Sequence, residues 1–320
     1  MSRYLVTGGC GFIGSNLVKS LLSKGHEVIV LDDLSTGRAD SIPAHIPLIK
    51  ADVADASAVL GAFNQNVDGC FHLAANPSVS QSIEDYAGCH RTNLGGTVAV
   101  FDSASKHALK RGTHVPVVYA SSCAVYGDAE IMPLSEDADT NPLSSYGTDK
   151  LCGEIHARMA SSAYNLPSVG LRFFNVFGPG QRPESVYSGV LSIFCKTLAE
   201  GNQVTIYGDG LQERDFVFVD DVVGALCLAM RQAVDCSPGI FNVCTGVRRP
   251  LIDVGHLIAD FCSTSFEPEF ASARTGDIRM SLGNPAKCFE SIGWKYSTDF
   301  EDGIRQTLNW LATQESAMAS

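Results

Sequence analysis

The feature that most limits what this chain can fold into is Thr7-Gly8-Gly9-Cys10-Gly11-Phe12-Ile13-Gly14. It follows a short apolar run at residues 4–7. It leads into Phe12, Ile13, Leu17, Val18, Leu21 and Leu22, which recur at helical spacing. Gly8 permits a tight turn, Gly11 lets the backbone approach a pyrophosphate, and Gly14 lets the helix pack closely on the strand. The helix N-terminus then offers free N–H groups and partial positive charge to phosphates. The next apolar run, Val28-Ile29-Val30-Leu31, ends at Asp32, 18 residues after Gly14. A carboxylate there accepts hydrogen bonds from the adenosine ribose and repels a 2′-phosphate, so NAD is expected over NADP. Phe12 and Ile13 open the helix, and Ser35, Thr36 and Gly37 follow Asp32; all five are assigned to the cofactor site.

The same alternation continues. Strands are expected at residues 47–50, 70–73, 115–120 and 168–172, and helices at 56–63, 86–110 and 146–164. That rhythm predicts an α/β fold with a doubly wound parallel sheet. After residue 177 the rhythm changes. A turn-rich stretch at 178–183 precedes a helix at 190–200, a strand at 204–207, a strand at 216–219, a helix at 221–230 and a strand at 239–243. The expected organisation is a dinucleotide-binding domain at 1–175, with 214–245 returning to it. Residues 176–213 and 246–312 form a smaller, interwoven mixed α/β lobe, and 313–320 a frayed tail.

Composition narrows the partners. Lys plus Arg is 23 against 35 Asp plus Glu, a net charge of −12. This excludes nucleic acid and anionic membranes as main partners, since both need a basic footprint. No apolar run is long enough to span a bilayer, and no signal peptide precedes the first strand. The 11 cysteines contain no CxxC pair and no zinc spacing, so no metal site is expected. They read as small buried hydrophobes in a reducing cytoplasm.

Tyr146 and Lys150 stand at i and i+4 on one helix face. An ammonium near a phenol favours the phenolate, which makes the tyrosine a usable base. Ser121 and Ser122 follow the strand at 115–120, at the carboxyl edge where doubly wound sheets place ligands. Ser122 precedes Tyr146 by the interval of a Ser/Tyr/Lys site. His72 reads as a satisfied core histidine, and Glu154 as a partner for Lys150 on the helix surface.

From residue 3 to 311, the chain resembles the extended short-chain dehydrogenase/reductase family, and within it the NAD-dependent nucleotide-sugar epimerases. The motifs are residues 7–14, Asp32, Asp52-Val53, His72-Leu73-Ala74-Ala75, Asn93, Ser122, Tyr146/Lys150, Leu171-Arg172-Phe173-Phe174-Asn175-Val176-Phe177-Gly178, Arg214-Asp215-Phe216 and Arg274-Thr275-Gly276-Asp277. The resemblance implies a Rossmann-like domain in which Asp52 and Val53 hold adenine. Leu73, Ala74, Ala75, Asn93, Ser121, Phe173 and Val176 would lie along the cofactor. It makes Ser122, Tyr146 and Lys150 the catalytic triad. Asn175, Arg214, Arg274 and Asp277 would hold a nucleoside diphosphate, and Val190, Thr205 and Tyr207 a uridine pocket. Relatives pair the helices at 86–110 and 146–164 across a two-fold axis, so a homodimer is expected.

The implied reaction inverts C4 of a UDP-hexose through a transient 4-keto sugar, with NAD retained. Related dehydratases and decarboxylases carry acids after the residue equivalent to Ser122; here Cys123 and Ala124 stand there, which favours simple epimerisation. Ser281 occupies the position where a bulky Tyr closes the pocket of glucose/galactose-restricted epimerases. UDP-GlcNAc/UDP-GalNAc is therefore the preferred substrate pair. Alternatives are an enzyme restricted to UDP-Glc/UDP-Gal, another nucleotide-sugar epimerase, or a non-catalytic NAD-binding protein.

Overall fold

The computed structural model describes residues 1–184, 189–234, 238–273 and 278–318. In chain order the strands are β1 (Arg3–Thr7), β2 (Glu27–Asp32), β3 (Leu48–Lys50), β4 (Gly69–His72), β5 (Val117–Ser122), β6 (Ser168–Phe173), β7 (Asn175–Phe177), β8 (Thr205–Tyr207), β9 (Glu213–Phe218), β10 (Gly239–Val243), β11 (Arg248–Pro250), β12 (Glu269–Ala271) and β13 (Met280–Ser281). The helices are α1 (Phe12–Ser23), α2 (Ala56–Phe63), α3 (Val79–Glu84), α4 (Tyr86–His90), α5 (Gly96–Arg111), α6 (Ser145–Tyr164), α7 (Val190–Ala199), α8 (Val219–Val234), α9 (Leu251–Cys262), α10 (Ala286–Ile292) and α11 (Phe300–Met318).

Among the described residues, seven strands form one parallel sheet in the order β10-β6-β5-β4-β1-β2-β3. The continuous apolar runs of the sequence are explained by this sheet, because both faces are covered. Val6, Val28 and Val30 face one core with Leu17, Val18 and Leu21 of α1 and Val222 and Leu226 of α8. Their neighbours Leu5, Ile29 and Leu31 face the other core with Val59 and Phe63 of α2, Val100 and Phe101 of α5 and Ala157 of α6. The strand order reverses at β1, which pairs with β2 on one side and β4 on the other. The carboxyl ends of those strands part there, and a cleft opens at the switch point.

A smaller sheet is organised by β9, which pairs parallel with β7 and β13 and antiparallel with β11. The expected return to the large sheet at residues 214–245 therefore starts later. Glu213–Phe218 belongs to the smaller sheet, and only α8 and β10 rejoin the large one.

Two further expectations are corrected. The helix at 86–110 is divided by a π-helical turn, Arg91–Gly95, between α4 and α5. The widened turn carries Asn93. The frayed tail at 313–320 is helical as far as Met318. Phe300, Ile304 and Leu311 of α11 bury into the core around Phe177, Phe216 and Phe218, and this packing stabilises the helix. No described helix is long and apolar enough to cross a membrane.

Candidate active site

The cleft at the switch point has a volume of about 1390 Å³. Gly8, Gly11, Phe12 and Ile13 line it from the first turn, and Asp32, Ser35 and Thr36 from the end of β2. Val53, Leu73, Ala74 and Ala75 form one wall, and Phe173 and Val176 another. Ser121, Ser122, Tyr146 and Lys150 line it too, so the predicted triad meets the predicted cofactor residues in one cavity.

The glycines are required by the space. A Cβ on Gly14 would lie 2.1 Å from the Gly8 carbonyl oxygen. One on Gly8, at φ +69°, would meet the Ala74 backbone nitrogen at 2.7 Å. Gly11 caps α1 without a side chain, and no acidic residue stands in the first turn to compete with a phosphate. Asp32 is held in place by the N–H groups of Cys10 and Leu34, which donate to its two oxygens at 2.9 Å each. Burial pushes its carboxyl up, and those two bonds pull it back. A backbone cradle with a free helix N-terminus and a fixed carboxylate beyond it fits NAD.

Three cofactor assignments do not reach the cavity wall. Gly37 packs against Cys10, where a Cβ would come 2.7 Å from the Cys10 carbonyl carbon. Asp52 accepts from the Ala54 N–H and pairs with Arg91. Asn93 is buried and braces the loop beside the cleft: it accepts from the Asn76 N–H at 2.7 Å and donates to the Asn76 carbonyl at 3.1 Å.

In the triad, Lys150 donates from Nζ to the Ala120 carbonyl at 2.9 Å, and Nζ lies 5.7 Å from the Tyr146 ring centroid. Burial pulls the lysine down to about 8. Burial likewise pushes the Tyr146 phenol up to about 12; a hydrogen bond with Ser122 pulls it back, and the Cys123 thiol pushes it up. The sequence led us to expect that Lys150 would favour the phenolate. In this arrangement desolvation outweighs any such pull, and the phenol keeps its proton at neutral pH. His72 is the satisfied core histidine expected, bonded to the Thr7 and Thr97 hydroxyls at 2.8 and 3.0 Å. Burial, and the Lys150 charge after it, pull the imidazole down to about 3.

Glu154 is a correction. It is not on the helix surface with Lys150 but buried, bonded through both oxygens to Arg172 at 2.9 and 2.7 Å. It also accepts from the Ser121 hydroxyl at 2.5 Å. A lone glutamate between two turns of helix gave no sign of a cation arriving from β6.

Of the described substrate assignments, Ser122 alone lines the cleft. Asn175 donates to the Asp215 carbonyl at 3.2 Å, which locks β7 onto β9. Arg214 and Ser281 face each other in the β9–β13 register. Ser281 is buried, and its hydroxyl donates to the Cys123 sulfur at 3.8 Å, next to Ser122. The Cys123 thiol is pushed up by burial and stays protonated, in keeping with packing. Val190 opens α7. Thr205 and Tyr207 share the outward side of β8, with Ile206 turned into the core. Arg274 and Asp277 lie outside the described residues.

Several residues escaped the sequence reading. Asp215, inside the Arg-Asp-Phe motif, is fully buried and accepts from Thr245, Gly246 and Gly283, which ties β9 to two loops. Arg38, Arg182 and Lys196 line the outer end of the cleft, as do Trp310 and Gln314 of α11. The turn-rich stretch at 178–183 was a signal for Arg182. Its reach to Asp40 and Ser41, at 3.8 and 3.4 Å, depends on tertiary folding. Among the described residues no cluster of His, Cys, Asp and Glu could hold a metal ion.

Known proteins share this construction. A UDP-glucose 4-epimerase from Mycolicibacterium smegmatis is 37% identical over 315 residues, 96% of this chain and 98% of its own. The solved UDP-glucose 4-epimerase of Thermotoga maritima, with UDP-glucose, superposes with a TM-score of 0.91 at 30% identity, covering 98% of this chain and 99% of that one. A UDP-N-acetylglucosamine 4-epimerase from Methanobrevibacter ruminantium, in complex with UDP-N-acetylmuramic acid, gives 0.90 at 31% over the same shares. The NAD dependent epimerase/dehydratase family profile matches residues 4–244, a span that holds the glycine cradle, Asp32 and the Ser122/Tyr146/Lys150 set. The cradle, the fixed acid and these likenesses converge: the chain belongs to the NAD dependent epimerase/dehydratase family.

Proposed function

We propose that this protein is an isomerase that interconverts UDP-hexoses at C4, with UDP-GlcNAc/UDP-GalNAc as the preferred pair. The relatives named UDP-glucose 4-epimerase support the reaction class. One observation carries the finer reading: the buried side chain nearest Cys123 from β13 is the small Ser281. A bulky residue there would crowd the sugar beside Ser122. The likeness to a UDP-N-acetylglucosamine 4-epimerase agrees with it.

NAD in the cleft supplies a hydride acceptor and donor. Gly8, Gly11 and the start of α1 hold its diphosphate, and Asp32 the adenosine ribose. With NAD bound, the positive charge of its nicotinamide ring together with Lys150 would favour the Tyr146 phenolate, which would take the proton of the sugar 4-hydroxyl as C4 is oxidised. Ser122 bonds the same oxygen and steadies the proton, while Lys150 fixes the floor at Ala120. After the 4-keto sugar presents its other face, Tyr146 returns the proton, and the product differs only at C4. Arg214, Arg274 and Asp277 grip the UDP, a local positive site in a chain of net charge −12. Asn175, Val190, Thr205 and Tyr207 complete the nucleotide pocket.

The two domains meet at this site: residues 1–175 with α8 and β10 on the cofactor side, and the rest on the sugar side. We place the protein in the cytoplasm, where its described cysteines, all free, stay reduced. We also assign it as a homodimer through α5 and α6, which expose Leu109, Ile155, Met159 and Tyr164.

The test is incubation with UDP-GlcNAc without added NAD, followed by separation of the products. UDP-GalNAc should form, and kcat/KM should exceed that for UDP-Glc/UDP-Gal. No turnover of the N-acetyl pair leaves the enzyme restricted to UDP-Glc/UDP-Gal.

A further inference from the structure

Behind the cleft floor lies a buried charge pair that the chemistry above does not use. Glu154 and Arg172 are 6% and 4% exposed, and their side chains meet through two hydrogen bonds. Oε1 of Glu154 is shared, since the Ser121 hydroxyl also donates to it. Tyr146, Lys150 and Glu154 stand at i, i+4 and i+8, one stripe of α6. Two consecutive residues of β5 meet this stripe, Ala120 accepting from Lys150 and Ser121 donating to Glu154, and the next, Ser122, lines the cleft with Tyr146.

We propose that Glu154, fixed by Arg172, is a positioning residue that clips the end of β5 to α6 and thereby aligns Ser122 with Tyr146. This rests on the epimerase reading of the same site. Side chains of successive strand residues point to opposite sides of the pleat. A bond on Ser121 therefore fixes the rotation of the strand about its axis, and with it the direction of the Ser122 hydroxyl. Arg172 is anchored in turn. It donates to the Tyr126 hydroxyl at 2.9 Å and to the Glu136 carbonyl at 3.2 Å. Leu134 beside them is stitched to the sugar side through the Leu282 carbonyl and the Asn284 N–H, each at 2.8 Å. An apolar pair of equal volume would pack this space without desolvating two charges. The clip gives the charges a function that packing alone does not need.

The test is the double variant Glu154→Leu/Arg172→Met, which strands neither charge, assayed as the NAD-loaded enzyme. The expected result is an unchanged Tm and sugar-nucleotide KM, with kcat lower by about tenfold to a hundredfold. The Tyr146 phenolate, read by absorbance against Tyr146→Phe, should form at higher pH because a Ser122 hydroxyl turned away from it no longer donates to the phenolate. That absorbance needs no turnover, so it still reports on the clip if no UDP-hexose is a substrate. Ser121→Ala removes the same bond without touching a charge; it should move kcat and the phenolate in the same directions. It decides the matter if the double variant does not fold. A folded variant with unchanged kcat and unchanged phenolate overturns the proposal. So does a lower kcat with a raised KM and an unmoved phenolate, the pattern of general loosening.

Discussion

The cofactor side and the sugar side of this site rest on different kinds of backbone. On the cofactor side, the ends of β1, β2, β4 and β5 leave one parallel sheet buried on both faces, and the glycine turn, Asp32, Leu73, Ser121 and Ser122 stand at those strand ends. On the sugar side, the strands β7, β8, β11 and β12 have three residues each and β13 has two. There the geometry is held by single polar hubs such as Asp215, whose carboxylate joins β9 to residues 245, 246 and 283. A site half built on a sheet and half on hubs should fail differently in its two halves.

The largest difference should appear in the chemistry. Tyr146→Phe keeps the ring and the cradle but removes the proton carrier. It should lower kcat by about 10²- to 10⁴-fold while NAD remains bound, measured by turnover and cofactor absorbance. Unchanged turnover would remove Tyr146 as the base.

Next comes the cradle. In Gly14→Ala the new methyl would meet a backbone oxygen that has no room to yield. A loss of about 1–3 kcal/mol in stability and release of NAD on gel filtration are expected. Retention of both would mean that the first turn shifts as freely as a loop.

On the sugar side, Ser281→Tyr should leave NAD bound. It should penalise the N-acetyl pair by about 1–3 kcal/mol in kcat/KM relative to UDP-Glc/UDP-Gal. Equal penalties for both pairs would deny this position a role in choosing the sugar.

The last effect, visible only as pH changes, is that of His72, buried neutral between Thr7 and Thr97. Its folded value, about 3, lies below the ordinary 6.5. The unfolded chain therefore binds the extra proton first. The stabilisation is complete above about 6.5 and is lost as pH falls toward 3, at about 1.4 kcal/mol per pH unit for this group. His72→Gln should flatten the dependence of Tm on pH between 6.5 and 5. An unchanged slope would remove His72 as its source.

The same contrast governs how much of the molecule was legible in its sequence. The large sheet and its helices follow from local signals: α2 spans the expected residues 56–63, and β10 the expected 239–243. The triad and the glycine cradle were legible because their residue types and spacing are themselves the chemistry. What escaped depends on partners far away in the chain. Glu154 resembled a surface glutamate until Arg172 of β6 was placed beside it. Asp215 resembled a flank of Arg214 until two loops converged on it. The end of α11 from residue 313 looked like a tail because Gln314 and Ser316 lack apolar character.

That last helix has a consequence in time. Trp310, Leu311 and Gln314 form part of the cleft wall, and they leave the ribosome after every strand of the large sheet. A nascent chain can complete its sheet and its glycine turn and still lack a side of the dinucleotide cleft. Docking of α11 is thus the event that finishes the container, and stable capture of the cofactor belongs to the end of biogenesis.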